Sequence, residues 1–220
     1  MAYSSSSEAL NCTTMTVRVP QDLPEWRLRA GATRRARSED KILGAALQLF
    51  EQVGFDQASV ESVAFHAGVG PATIYQRYGT KGALAAAVLA KKAAFLNKAA
   101  LKDASTLPVS LAVQRHLRRA AKVITDNRVL ARAVFVVFSK TEGPPVDSRD
   151  PRLIFPLPAP LAGILQVGVD NGEIECPTTA IDTAASVTSM LMVRIIARNE
   201  SPQASADFVY NTVMKGLMVR

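Results

Sequence analysis

The segment from Ser59 to Lys81 constrains the fold of this chain more than any other. It reads SVESVAFHAGVGPATIYQRYGTK, and two short helical patterns meet in it across the link Gly68 to Gly70. Ser59 is suited to cap the first helix, and Gly68 is suited to end it in a left-handed conformation. Pro71 is suited to open the second helix, because its missing N–H costs nothing there. A three-residue link forces the two helices to cross sharply.

The second helix of this pair, Pro71 to about Tyr78, is too short to be stable by itself. We expect Ile74 and Tyr78 to anchor it, which leaves its other face exposed. That face would carry polar side chains suited to phosphates and base edges, namely Thr73, Tyr75, Gln76 and Arg77. Arg can bond guanine and Gln can bond adenine in the major groove, whereas phosphate contacts add affinity without sequence information. The segment is typical of a helix-turn-helix.

A further helix is predicted before this pair. Ser38 would cap it, and its apolar face would run from Ile42 to Val53. Gly54 would then end it, with Phe55 packing back on Phe50. Residues 1–37 contain a serine run and no sustained apolar period, so we expect a flexible arm. Its basic end, RLRAGATRRAR, is either a solvated tail or an arm that lies along DNA.

The remaining sequence also shows helical periodicity, and no segment alternates as a strand. The predicted helices run over 80–102, 108–125, 126–140, 160–171, 179–199 and 204–217, with a loop at TEGPPVDSRDP. The chain is therefore predicted to be all-α, with about nine helices. We place a helix-turn-helix domain at 38–83 and a larger helical domain at 84–220.

Composition indicates the kind of partner. A chain of 220 residues that is 48% hydrophobic can bury a substantial core. Its net charge of +7 and pI of about 9.7 favour an anionic partner such as nucleic acid. The two cysteines are far apart, the start has no basic region followed by an apolar stretch, and the longest uncharged run contains three prolines. We expect a cytoplasmic protein with no membrane span.

The sequence offers little support for catalysis. Gly68-x-Gly70 follows a helix instead of a strand and lacks a third glycine, so it does not indicate a nucleotide-binding loop. His66 and His116 lie far apart, without carboxylates at metal-ligand spacing. No nucleophile, metal or cofactor constellation is evident, so we expect no cofactor, no metal and no enzymatic activity.

Residues 38–91 resemble the amino-terminal domain of the tetracycline-repressor (TetR) family of transcriptional regulators. The family pattern is a helix cap, A-x-x-A-G-V, then T-[LI]-Y-x-x-[FY] and a lysine near the next helix start. It is met by Ser59, Ala64, Ala67, Gly68, Val69, Thr73, Ile74, Tyr75, Tyr78 and Lys81. Gly70, where the family often has Ser, and Gly82, where it often has an acidic residue, depart from the pattern.

The resemblance implies roles for these residues. Thr73, Tyr75 and Lys81 would contact phosphates, while Gln76 and Arg77 would lie near base edges. Ser59 and Gly70, at the two helix starts, complete the implied DNA-binding set, although Gly70 lacks the hydroxyl of the usual cap.

The larger domain is expected to bind a small effector and to form a homodimer. Phe95, Phe135, Phe138 and Met190 are candidate ligand contacts for a largely apolar effector, with ordinary core packing as the alternative. The last two helices are apolar over more than one stripe, which favours burial against a second subunit. Arg194 within this stretch would either form an interface ion pair or enter a ligand cavity.

Together these features predict a ligand-responsive DNA-binding regulator, a repressor that binds a near-palindromic operator as a dimer. A small molecule would release it. The alternatives are a small-molecule-binding protein of the same fold that does not bind an operator, and an all-α enzyme.

Overall fold

The computed structural model describes residues 25–143, 145 and 147–218. These residues contain twelve α-helices and one π-helix, and their only bridge between extended residues joins Ile174 to Met218. The all-α prediction is confirmed. The helices are α1 Glu25–Gln52, α2 Gly54–Gln57, α3 Val60–Ala67, α4 Pro71–Tyr78, α5 Lys81–Ala93, α6 Phe95–Thr106, α7 Val109–Asp126, α8 Arg128–Lys140, α9 Pro151–Ile154, α10 Ala159–Asp170, α11 Ala180–Met192, the π-helix Val193–Ala197 and α12 Pro202–Leu217.

The first helix begins earlier than predicted. Contacts divide the chain into the units 1–37 and 38–220, yet α1 starts at Glu25 and Ser38 lies inside it. The predicted cap at Ser38 is therefore wrong. Residues 25–37 contain five Arg and three Ala, which favour helix, and no proline interrupts them. Residues 1–24 of the predicted arm lie outside the described residues, and the domain boundary at 83/84 stays a prediction.

The helix-turn-helix forms as predicted. The Ser59 hydroxyl accepts from the Ser62 N–H at 3.0 Å and so caps α3. Gly68 ends α3 at φ +68°, a left-handed conformation that favours glycine. Ile74 and Tyr78 are buried and anchor α4. Two further short helices, α2 and α9, were not predicted, since four residues carry no readable period.

The larger helical part has α7 at its centre, packed against α6, α10 and α12. The predicted helix from Thr80 to Lys102 is interrupted at Ala94, which separates α5 from α6. The segment Ala180–Ala197 has the length and the mean hydropathy, 1.4, of a membrane span. Ala184, Leu191 and Ile195 on it are nevertheless completely or almost completely buried in the core, as expected for the core helix of a globular protein.

Gly82 allows α5 to approach α8 closely. A Cβ atom at this position would lie 2.8 Å from Cγ2 and 3.0 Å from Cγ1 of Val137. Real side chains do not pack at such distances, so only glycine fits against the valine. This close approach explains why Gly82 stands where the TetR family often has an acidic residue.

A buried polar cluster lies between α6 and α7. Asp103 is buried and forms ion pairs with Arg119 and, at 3.8 Å, with Arg115. His116 lies in the same turn of α7 and is also buried. Burial, followed by the charge of Arg119, lowers the pKa of His116 from 6.5 to about 4, whereas the charge of Asp103 opposes the shift. The imidazole is therefore neutral at pH 7.

We expect Gly82→Ala to destabilise the protein by about 1 kcal/mol, because overpacking costs about 1–3 kcal/mol and exceeds the helix propensity gained. In a Val137→Ala background the same change should be stabilising. Gly44→Ala on α1 is the matched control, since no atom lies within 4 Å of its added Cβ. Thermal and urea unfolding measure the stability of Gly82→Ala, Val137→Ala, the double variant and Gly44→Ala. Equal effects of Gly82→Ala in both backgrounds would contradict the close approach.

His116 should make stability depend on pH. Its pKa is lower in the folded state than in the unfolded chain, so the unfolded chain takes up the proton first as pH falls below 6.5. Relative to His116→Leu, the wild type should lose about 2 kcal/mol between about pH 7 and about pH 4.5. Urea unfolding at both pH values tests this. His66→Gln changes an exposed histidine and should leave the difference unaltered.

Candidate nucleic-acid interface and effector cavities

The exposed face of α4 carries three of the predicted DNA-binding side chains. Thr73, Tyr75 and Gln76 are all exposed, whereas Ile74 and Tyr78 on the opposite face are buried. The helix begins at Pro71, and Gly70 before it is the N-cap, with φ −71°, ψ 144° and no side-chain hydrogen bond. The arrangement leaves a short helix with one polar face directed away from the core, as a recognition helix requires.

Arg77 is less exposed than predicted. Its side chain is 27% exposed, and its Nη1 lies 3.9 Å from Oε2 of Glu39 on α1. Its position three residues after Ile74 places it beside the buried stripe instead of opposite to it. The expectation that Arg77 projects outward with the other three is therefore wrong for this conformation. Its contact with a base edge stays a prediction.

Tyr75 joins α4 to α3 through its hydroxyl. The hydroxyl donates to Oε1 of Glu61 at 3.2 Å, and this hydrogen bond is the main cause that raises the pKa of Tyr75. The phenol is thus neutral and its single proton is in use. Bonding to a phosphate would require Tyr75 to leave Glu61, whose charge also repels phosphate. The phosphate contact stays a prediction that this geometry does not favour.

Lys81 has a structural role that its position in the sequence did not indicate. Its Nζ donates to the carbonyl oxygens of Phe55 at 2.9 Å, Asp56 at 3.2 Å and Ala58 at 3.0 Å. It also lies 4.6 Å from the centre of the Phe55 ring. An ammonium group has three donors, and all three are used. Lys81 therefore ties α2 and the residue after it to the start of α5, and its predicted phosphate contact would have to break one of these bonds.

Ser59 and Gly70 lie at the two helix starts of the motif. Ser59 is occupied within its own turn, since its hydroxyl donates to Ser62 Oγ at 2.9 Å as well as capping α3. Gly70 has open space on its Cβ side. The DNA contacts of Ser59 and Gly70 stay predictions.

An apolar cavity of about 360 Å³ brings together two of the four predicted ligand contacts. Its lining contains no charged residue and consists of Phe135, Phe138, Ser139, Leu157, Pro158, Ala185, Thr188, Ser189, Met192 and Val193. Phe95 is half exposed at the start of α6, and Met190 lies on the outer side of α11. Neither lines this cavity. Met192 takes the place predicted for Met190, because a helix that is apolar on most sides does not reveal which methionine faces inward.

A second apolar cavity, of about 520 Å³, lies between α6 and α10 and was not anticipated. Leu101 of α6 and Ile164 and Val167 of α10 contribute to its lining. Its lining also lacks charged residues. The sequence signal that could have located it is the set of small residues along α6, Ala100 and Ala104, which leave space between the two helices.

Arg194 forms its contacts within the chain, and its predicted role at an interface or in a ligand cavity stays a prediction. Its Nη2 lies 2.5 Å from Oε2 of Glu200, and its guanidinium lies 3.6 Å from the centre of the Phe208 ring. These are ion-pair and cation–π contacts within the chain that join the π-helix to α12. Nearby, the last two helices expose Ile181, Met190, Val193 and Phe208.

Residues 42–88 match the family described as bacterial regulatory proteins, tetR family. The matched segment runs from the buried face of α1 through α3 and α4 into α5. It contains the exposed face of α4 and the contacts of Lys81. No curated protein matches the chain.

The fold is similar to solved structures of transcriptional regulators. The TetR-family repressor FadR of Thermus thermophilus, in complex with lauroyl-CoA, has a TM-score of 0.70 at 19% identity, covering 83% of this chain and 96% of that one. FadR of Bacillus subtilis, in complex with stearoyl-CoA, has a TM-score of 0.58 at 16% identity, covering 80% and 97%. The fatty acid degradation regulator FadR of Bacillus halodurans has 0.58 at 16%, covering 82% and 99%. At such identities the similarity concerns the fold.

The family match of residues 42–88 and the fold comparison both indicate similarity to tetR-family regulators. The matched segment forms a helix-turn-helix with an exposed polar helix, and the rest of the described chain forms the helical domain that these regulators share. Residues 42–88 thus form a helix-turn-helix that matches the tetR family of bacterial regulatory proteins, and the described chain has a fold similar to that of solved transcriptional regulators of this family.

Proposed function

We propose that this protein is a cytoplasmic repressor that binds a near-palindromic operator as a homodimer and is released by a small, largely apolar molecule. The observation that carries the proposal is the exposed polar face of α4, held on a family DNA-binding domain by Ile74 and Tyr78. Thr73 would contact a phosphate and Gln76 a base edge. A twofold dimer would place its two recognition helices in successive major grooves, about 34–36 Å apart.

The last two helices support the dimer. Ile181, Met190, Val193 and Phe208 expose large apolar side chains on α11, the π-helix and α12. Burial of such side chains contributes about 25 cal/mol per Å² of apolar surface, which favours covering them with the same face of a second copy.

The apolar cavity beside Phe135 and Phe138 supports the effector. Its lining lacks charged residues, so the part of an effector that enters it must itself be apolar. FadR of Thermus thermophilus is in complex with lauroyl-CoA and that of Bacillus subtilis with stearoyl-CoA. Acyl-CoA is therefore the first effector class to test. Its affinity for DNA-bound and free protein must differ for it to act.

Three observations favour a second candidate, a small-molecule-binding protein that does not bind an operator. Tyr75 bonds to Glu61, Lys81 bonds to three carbonyls, and Gly70 carries no hydroxyl. Each removes or occupies a group expected to contact phosphate. Footprinting of genomic DNA with the full chain, with and without lauroyl-CoA, separates the candidates. Absence of any sequence-selective footprint would rule out the repressor.

Gln76 and Thr73 should affect DNA binding differently. Gln76→Ala should lower discrimination at one base pair by about 1–3 kcal/mol, because a bidentate base contact is lost. Thr73→Ala should weaken binding to every DNA sequence by about the same factor, because phosphate contacts carry no sequence information. Gel shifts on the footprinted site and on single-base variants measure both. A Gln76→Ala protein that retains full discrimination would contradict the assignment.

Gly70→Ser should be tolerated and should strengthen operator binding. Gly70 has φ −71°, and nothing lies within 4 Å of an added Cβ, so serine can cap α4 and add a hydroxyl for phosphate. The expected gain in stability is a few tenths of a kcal/mol, about the difference between these caps.

Gly68→Ser is the matched control in the same link. Gly68 also has space for a Cβ, but its φ is +68°, where serine costs about 1–2 kcal/mol. Thermal unfolding and gel shifts compare the two. Equal destabilisation by both substitutions would contradict the backbone assignment at Gly70.

A further inference from the structure

A cavity of about 750 Å³ is lined by residues of α2 and α8. One wall is formed by Val53 and by α2, including Phe55 and Asp56, and the other by α8, including Val137. Pockets for organic ligands commonly have volumes of about 300–1,000 Å³. The volume is therefore sufficient for a small organic molecule.

The lining combines apolar side chains with cations. Val53, Val129 and Val136 are 48%, 59% and 39% exposed, although aliphatic side chains of this size are usually buried. Arg132 and Lys140 lie on the α8 wall, eight residues and therefore about 12 Å apart along the helix. Among the described residues neither forms an ion pair.

The charged side chains of the lining indicate how a ligand would be oriented in this cavity. Asp56 is the one acidic residue in the lining and lies on the opposite wall from Arg132 and Lys140. An anionic group would therefore sit on the α8 side, with an apolar body on the valines. The two apolar cavities described above have no charged lining residue, so they do not fit such a group.

Both walls contact the first turn of α5. Val137 on one wall packs against Gly82, where a Cβ would lie only 2.8 Å away. Phe55 on the other wall accepts a hydrogen bond from Lys81 through its carbonyl and lies under the Lys81 ammonium. Only Gly79 and Thr80 separate this turn from α4. A ligand that changes the spacing of the walls therefore acts close to the recognition helix.

We propose that this cavity is a regulatory site for an organic anion with an apolar body, separate from the cavity beside Phe135 and Phe138. The anionic group, a sulfonate, carboxylate or phosphate, binds Arg132 and Lys140, and the body covers Val129 and Val136. Occupation changes operator affinity by altering the distance between α2 and α8. The regulatory part rests on the proposed operator binding, whereas the binding part does not.

The binding part is tested with a pair of probes on the full chain. Anilinonaphthalene sulfonate carries an apolar body and a sulfonate, and N-phenyl-1-naphthylamine has the same body without the charge. In fluorescence titrations, Arg132→Gln/Lys140→Gln should weaken binding of the sulfonate at least about tenfold, the loss expected when charge-assisted hydrogen bonds are removed. Binding of the neutral probe should be unchanged.

The matched control is Lys92→Gln/Lys215→Gln, which removes two exposed lysines that do not line the cavity. It should leave sulfonate binding unchanged. Equal loss in both double variants, or no loss in the Arg132/Lys140 variant, would overturn the site. Circular dichroism and thermal unfolding establish that each variant is folded.

The regulatory part is tested by gel shifts on the footprinted operator. The sulfonate should change operator affinity at least about fivefold in the wild type and not in Arg132→Gln/Lys140→Gln, within the usual range of allosteric coupling. A sulfonate that binds the cavity but leaves operator affinity unchanged overturns this part. If the protein shifts no DNA at all, the proposed function fails, while the titrations still decide the site.

Discussion

Three successive residues at the start of α5, Thr80, Lys81 and Gly82, connect this helix to α2 and α8. The Thr80 hydroxyl accepts from the Ala83 N–H at 3.0 Å and fixes the first turn of the helix. Lys81 bonds to the carbonyls of Phe55, Asp56 and Ala58 and so holds α2. Gly82 admits Val137 of α8. Because this turn directly follows α4, a displacement of α8 or α2 reaches the recognition helix through few intervening atoms.

The polar groups expected at DNA are largely bonded within the protein. The Tyr75 hydroxyl donates to Glu61, and the Lys81 ammonium donates to three carbonyls. A phosphate can accept a hydrogen bond from either residue only after that residue has given up one of these partners. The net free energy of such an exchange is smaller than that of a new contact, because a hydrogen bond is lost for each one formed. Thr73 and Gln76 remain exposed and carry no such cost. Of the residues predicted to contact DNA, Tyr75 and Lys81 are therefore bonded within the protein, whereas Thr73 and Gln76 are exposed.

The carboxyl-terminal helices have one side buried in the core and another side exposed at the surface. Ala184, Leu191 and Ile195 face the core, while Met190 and Val193 face outward. The π-helix Val193–Ala197 follows α11 directly, and Arg194 within it reaches Glu200 and Phe208. The guanidinium of Arg194 is thus paired with a carboxylate and lies over a ring of its own chain, while its buried Nε has no hydrogen-bond partner among the described residues.

Local chemistry in the sequence determined the helix-turn-helix. The Ser59 cap, the left-handed Gly68, Pro71 at a helix start and the anchors Ile74 and Tyr78 all follow from preferences that act within one or two turns. The helical class and most helix positions followed from apolar periodicity. The early start of α1 at Glu25 was missed because a plausible cap at Ser38 was preferred to the helix propensity of the residues before it.

Only the tertiary structure decided which partner each polar or apolar side chain meets. Lys81 bonds to carbonyls more than twenty residues away, Arg77 turns toward Glu39, and Met192 instead of Met190 lines a cavity. The requirement for Gly82 arises from Val137, which is remote in sequence. Such contacts depend on how separate helices pack, and a period of 3.6 residues identifies a face but not what lies opposite to it.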